Sequence, residues 1–114
     1  MKENLDNYLD HVHYFDDLEH LKNLIDSDFS LASVVYTYGA WDLLHPGHIR
    51  LLARAKSLGD FLIVGVISDK QISDFKGEDR PLQSEDERII NVGSLRMVDA
   101  VISQPIYDLS LIHI

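Results

Sequence analysis

The chain has 114 residues, 46% hydrophobic and 25% charged, the size and balance of one globular domain with a single core. It has no cysteine, which excludes a disulfide framework and thiol chemistry and fits a reducing, cytoplasmic setting. A formal net charge of −9 argues against a general nucleic-acid binder, which needs a basic face, and no apolar run approaches the ~20 residues of a membrane span.

The first ten residues, Met1 to Asp10, are acidic and lack the apolar stretch of a signal peptide. Phe15, Leu18, Leu21, Leu24 and Ile25 recur at helical spacing, so a helix is predicted from about Asp16 to Ile25, with Asp16, Asp17 and Glu19 in a first turn that favours acids. Residues 1–30 are therefore expected to form an N-terminal helical extension that packs on the domain of residues 31–114 or on a partner subunit. His11, His13 and His20 share no single helix face and are read as exposed side chains rather than metal ligands.

A β-α-β unit follows: a strand over 33–38, a helix over 47–58 and a strand over 61–67. Both strands are continuous apolar runs, as expected of parallel strands with helices on both faces. Between the first strand and the helix lies Thr37-Tyr38-Gly39-Ala40-Trp41-Asp42-Leu43-Leu44-His45-Pro46-Gly47-His48. A helix start presents unpaired N–H groups and partial positive charge, a natural seat for phosphate. Two imidazoles three residues apart lie on one side of its first turn, proline is tolerated there, and Gly47 permits close backbone approach. The segment from Asp69 to Gln83 is polar and is read as a loop with a short helical turn. Ser84 with Glu87 has the spacing of a capping box opening a helix to about Met97, and a strand over 100–103 follows. The expected fold is α/β, a Rossmann-like doubly wound parallel sheet with its ligand beyond the carboxyl ends of the strands. No P-loop and no GxGxxG fingerprint is present. Charge is uneven along the chain: residues 1–49 hold 9 acidic and 2 basic side chains, residues 50–114 hold 10 and 8. The cations concentrate where phosphates would have to be neutralised.

The string Tyr38-Gly39-Ala40-Trp41-Asp42-Leu43-Leu44-His45-Pro46-Gly47-His48 resembles the HxGH signature of the nucleotidyltransferase superfamily, in its cytidylyltransferase-like branch. That branch includes the glycerol-3-phosphate, phosphoethanolamine and phosphocholine cytidylyltransferases and the heptose-1-phosphate adenylyltransferases. Arg54 to Asp60 with Phe61 to Val66, then Ser68-Asp69, Lys76-Gly77, Glu87-Arg88 and Val98-Asp99, fall in the order of the family, so the resemblance spans roughly residues 33 to 105. The family continues through further strands to a signature resembling Arg-Thr-x-Gly-Ile-Ser-Thr-Thr, for which this sequence has no counterpart. The domain is thus expected to be incomplete at its C-terminus, with the sheet stopping after its third strand.

The resemblance implies attack by a phosphate monoester on the α-phosphorus of a nucleoside triphosphate, with release of pyrophosphate. It assigns nucleotide binding to Tyr38, Gly39, Ala40, Trp41, Asp42, His45, Gly47 and His48, catalysis to His45, His48 and Lys76, and contact with the acceptor phosphate to Lys76 and Arg88. Phosphates beside the histidines are expected to favour their protonated form. Ala40 stands where relatives carry Thr or Cys, which leaves a backbone contact only, and Trp41 stands where they carry Phe or Tyr and is read chiefly as packing. Asp42 and Asp99 match family acids with two roles open: orienting a histidine or magnesium, or accepting structural hydrogen bonds. Asp69 is read as a possible helix cap, and Arg80 and Arg88 are weaker candidates for the site, with a simple pairing to Asp86 or Glu85 open for Arg88. Mg²⁺ is implied as the counter-ion of the triphosphate, with no metal held by protein ligands alone. The favoured reaction is transfer of CMP from CTP to a small phosphorylated alcohol such as glycerol 3-phosphate or phosphoethanolamine. The alternatives are an adenylyltransferase using ATP and a sugar 1-phosphate, or a non-catalytic nucleotide-binding module. The family also implies a homodimer.

Overall fold

The computed structural model describes residues 9, 12–15, 19–21, 23, 26, 33–79 and 81–103. Four strands and three helices are defined there: β1 (His13–Phe15), β2 (Val34–Gly39), α1 (Pro46–Ser57), β3 (Phe61–Val66), α2 (Asp69–Lys76), α3 (Glu85–Gly93) and β4 (Ala100–Ser103). All strand pairs are parallel, in the spatial order β1-β4-β3-β2.

Side-chain alternation along these strands builds two cores. Leu62, Val64, Val66 and Val101 point to one face, where Leu52 of α1 and Ile89 and Val92 of α3 cover them. Phe61, Ile63, Ala100 and Ile102 point to the other, with Val34 and the fully buried Leu21. Leu21 belongs to the N-terminal segment, whose described residues 19–21, 23 and 26 are helical. Chain segments thus lie on both faces, as in a doubly wound α/β sheet. β3 is buried at every position because it lies inside the sheet and under both layers.

Three sequence expectations need correction. Residues 1–30 are more than a helical extension, because His13–Phe15 joins the sheet as a fourth strand, pairing His13 with Ala100 and Phe15 with Ile102. The polar stretch after Ile67 is not mainly loop: Asp69–Lys76 is a full α-helix, opened by Ser68, whose hydroxyl accepts from Gln71 N–H, and closed at Gly77 with φ 96°. α3 has the expected Ser84–Glu87 capping box but ends at Gly93, not near Met97. The helix expected over 16–25 is only partly within the described residues, and His11, Arg80 and residues 104–114 lie outside them.

Candidate functional site

Gly39 closes β2 and Val66, its register partner, closes β3, so the segment from Ala40 to His48 lies beyond the carboxyl ends of the strands. It turns sharply there. Trp41 and Leu43 adopt φ of 54° and 57°, the left-handed region that bulky side chains avoid at a cost of order 1–3 kcal/mol each. Several contacts hold this conformation. The Trp41 indole, 4% exposed, donates from Nε1 to Gly65 O at 2.9 Å. Asp42 accepts from Leu82 N–H at 2.8 Å and Gln83 N–H at 2.9 Å, and Leu43 N–H donates to Gln83 Oε1 at 2.9 Å. The turn is therefore stitched to the segment that precedes α3.

Helix α1 opens on a capping box made of its two histidines. His45 Nδ1 accepts from Gly47 N–H at 3.0 Å, and His48 Nδ1 accepts from His45 N–H at 3.3 Å. A ring nitrogen that accepts carries no proton, so each neutral imidazole keeps its proton on Nε2, which remains a donor. The two ring centroids are 3.9 Å apart, and His48 also meets Trp41 edge-on at 5.7 Å. Burial, the neighbouring His45 and Lys76 together lower the His48 pKa below 6.5. Without a ligand His48 is thus biased to the neutral form, the reverse of what adjacent phosphates would produce.

A pocket of about 280 Å³ opens beside this helix start, lined by Tyr38, Gly39, Ala40, Trp41, Asp42, His48, Leu51 and Lys76. Most of the sequence-predicted nucleotide-binding residues therefore share one surface, and Lys76, the last residue of α2, faces it from the next crossover. His45 and Gly47 belong to the same helix start but are not among the residues that line the pocket. Leu51 was not foreseen; it lies one helical turn beyond His48, and that spacing was the signal available for it.

Arg88 is elsewhere. It is 0% exposed, and its guanidinium donates from Nε to Gln83 O (3.1 Å), from Nη1 to Ala40 O and Ile67 O (both 2.7 Å), and from Nη2 to Asp69 (2.6 Å). A guanidinium so enclosed does not meet an acceptor phosphate, which corrects its expected role. Asp69 is its ion-pair partner and not a helix cap, since Ser68 caps α2. Asp99 lies at the opposite end of the sheet, just before β4, where it accepts from Lys56 at 2.6 Å and from Leu62 N–H at 2.8 Å. It orients no group of the pocket. Asp42, the one carboxylate lining the pocket, is engaged by the two backbone N–H groups. Among the described residues no three His, Cys, Asp or Glu side chains gather as a metal site.

No helix among the described residues is long and apolar enough to cross a membrane. The cytidylyltransferase-like family model matches residues 36–112. Among curated proteins, the chain is 41% identical over 90 residues to the bifunctional protein HldE of Campylobacter concisus, covering 79% of this chain and 19% of that protein. It is 45% identical over 71 residues to the ethanolamine-phosphate cytidylyltransferase of Arabidopsis thaliana, covering 62% of this chain and 17% of that one. The chain spans about a fifth of the length of these relatives. A solved structure, a lipopolysaccharide core biosynthesis protein from Thermoplasma volcanium, superposes with a TM-score of 0.59 at 32% identity, over 69% of this chain and 63% of that one. A parallel sheet with a histidine-capped helix beyond its carboxyl edge, and a family match over most of its length, place this chain in the cytidylyltransferase-like family.

Proposed function

We infer that the chain carries the triphosphate-binding part of a nucleotidyltransferase that moves CMP from CTP, taken as its Mg²⁺ salt, to a small phosphorylated alcohol. The observation that carries this reading is the histidine capping box. By committing both Nδ1 atoms to backbone N–H groups, it leaves two Nε2 donors at a helix start that faces Lys76 across the pocket. In the reaction an oxygen of the acceptor phosphate forms a bond to the α-phosphorus. The bond from that phosphorus to the bridging oxygen breaks, and its electron pair leaves with pyrophosphate. The nucleophile is already an anion, so the protein has to position and to neutralise charge. The turn N–H groups at Ala40 and Trp41 and the helix start hold phosphate oxygens. His48 and His45 donate to oxygens that gain charge as pyrophosphate departs, and Lys76 balances the remainder.

A second reading, ATP with a sugar 1-phosphate, is supported by the spacing from Ser68-Asp69 through Lys76-Gly77 to Glu87-Arg88, which resembles the heptose enzymes. The fold match with a lipopolysaccharide core biosynthesis protein points the same way.

Trp41, the sole tryptophan, lines the pocket and reports its occupancy. Titrating CTP and ATP, each with Mg²⁺, is expected to perturb its emission in the parent and not in the His45→Ala/His48→Ala variant. Pyrophosphate release with CTP plus glycerol 3-phosphate or phosphoethanolamine, against ATP plus a sugar 1-phosphate, decides between the two readings. A double variant that binds both nucleotides as well as the parent sinks the assignment.

A further inference from the structure

An arginine inside a protein core is costly unless each of its donors is engaged, and the four acceptors of Arg88 are not a random set. Ala40 follows the last residue of β2, Ile67 follows the last residue of β3, Asp69 opens α2, and Gln83 precedes the cap of α3. A single rigid fork thus ties together the ends of both strands beneath the pocket and the two segments that follow them. The turn it grips at Ala40 continues into Trp41 and Leu43 with their left-handed backbones, which are unstable unless the surroundings impose them.

We propose that Arg88 is a positioning residue: its buried guanidinium holds the 40–43 turn in the strained conformation that presents the Ala40 and Trp41 N–H groups to an anion. This rests on the anion-binding reading of the turn, and it assigns Arg88 no contact with substrate. The guanidinium shape is essential. Its Nη1 bridges two carbonyls at 2.7 Å while Nη2 and Nε serve acceptors on other sides. A lysine ammonium keeps the charge but cannot span all four.

The test uses the 114-residue chain, its Arg88→Lys variant, and Lys56→Met as a control. The control breaks the Lys56–Asp99 pair at the far end of the sheet, so it destabilises the fold without touching the turn. All are measured well below their thermal midpoints, where far-UV circular dichroism shows them folded. Arg88→Lys is expected to red-shift Trp41 emission and to weaken CTP or ATP binding at least about tenfold, as misplacement of preorganised groups does. Lys56→Met is expected to leave both unchanged. If Arg88→Lys does not fold, Asp69→Asn at a half-exposed position removes the Nη2 ion pair alone and is expected to move both readouts in the same direction by less. Unchanged emission and unchanged affinity in the variant that folds overturn the proposal. Should the parent bind neither nucleotide, the nucleotide reading fails by itself, and the Trp41 emission of the variants alone decides whether Arg88 holds the turn.

Discussion

His45 and His48 each commit Nδ1 to a backbone N–H and keep Nε2 for a ligand, so helix capping and phosphate contact are two ends of one ring rather than competing roles. This division sets the pH behaviour. In the unfolded chain His48 titrates near 6.5, and in the folded ligand-free site it titrates lower, because burial, His45 and Lys76 oppose its charge. Between the two values the unfolded chain binds more protons. The contribution of His48 to stability is therefore complete above 6.5 and is lost as pH falls through 6.5 toward the lower folded value. Thermal midpoints of parent and His48→Gln are expected to converge as pH falls from about 7.5 to about 5.5, and parallel curves refute the shift. Triphosphate in the pocket reverses the local field, so binding is expected to take up protons, measurable by calorimetry in two buffers of different ionisation heat. Gly47 serves the same rings, since an added Cβ falls 2.8 Å from His45 Cε1 and 3.0 Å from Nδ1. Gly47→Ala is expected to turn the ring out of its cap, costing about 1 kcal/mol in thermal unfolding and much of the nucleotide affinity. The sequence pattern grouped the pocket residues well because they cluster in one short string. It misassigned Arg88 and left the role of Asp99 open because a charged residue near a motif carries no sign of which way it points, and only burial and partners separate a clamp from a phosphate ligand.

Elements with strong periodicity were legible and weak ones were not. The apolar runs at Val34 and Phe61, and the amphipathic stretch from Pro46, gave two strands and a helix within a residue or two of their observed ends. Helix α2 was hidden because Asp69–Lys76 is short and polar and buries only Ile72, so its stability comes from the Ser68 cap and the end at Gly77 more than from a hydrophobic stripe. β1 was hidden because three residues, His13–Phe15, are too few for an alternation to register, and the pairing with β4 that makes them a strand is remote in sequence. In α3 the pattern beyond Gly93 continued through Leu95 and Met97, but Ser94 takes the C-cap, its N–H bonded to Ile90 O and Val92 O. The N-terminal cap of α3 is the part of this element with the clearest consequence. Ser84 Oγ accepts from Glu87 N–H at 3.2 Å, and Ser84 N–H donates to Glu87 Oε1 at 3.0 Å. Ser84→Ala removes half of this box and is expected to cost about 1 kcal/mol in chemical denaturation, since a cap alanine leaves an N–H unpaired. Because Ser84 precedes the helix that carries Arg88, the variant is also expected to blur the Trp41 emission slightly; a change in stability below a few tenths of a kcal/mol refutes the capping role.

At the scale of the molecule, the sheet does not divide where the sequence does. A family-like domain starting at residue 31 and an extension before it is the natural reading of the motifs, yet the extension supplies both an edge strand and a covering residue. β1 occupies the outer side of β4 through three parallel pairs, and Leu21, fully buried, covers the face formed by Phe61, Ile63, Ala100 and Ile102. On the opposite face Leu9 and Val12 join the core against Gly93, where an added Cβ would run into the Leu9 side chain. The N-terminal segment therefore reaches both layers. Its removal uncovers one apolar face and leaves β4 as an open edge, the combination that drives strand-to-strand association. A chain beginning at residue 31 is expected to be recovered mainly as aggregate, or to unfold at a midpoint lower by ten degrees or more. The burial of Leu21 alone is worth about 2–5 kcal/mol on replacement by alanine, and a domain of this size shifts by several degrees for each kcal/mol. The point variant Leu21→Ala, which keeps β1 and the edge protected, separates the two contributions: it is expected to lower the midpoint while eluting at the volume of the parent in size-exclusion chromatography. A chain from residue 31 that is soluble, of the same oligomeric state as the full chain and as stable would show that the N-terminal segment is an accessory to the sheet rather than a part of it.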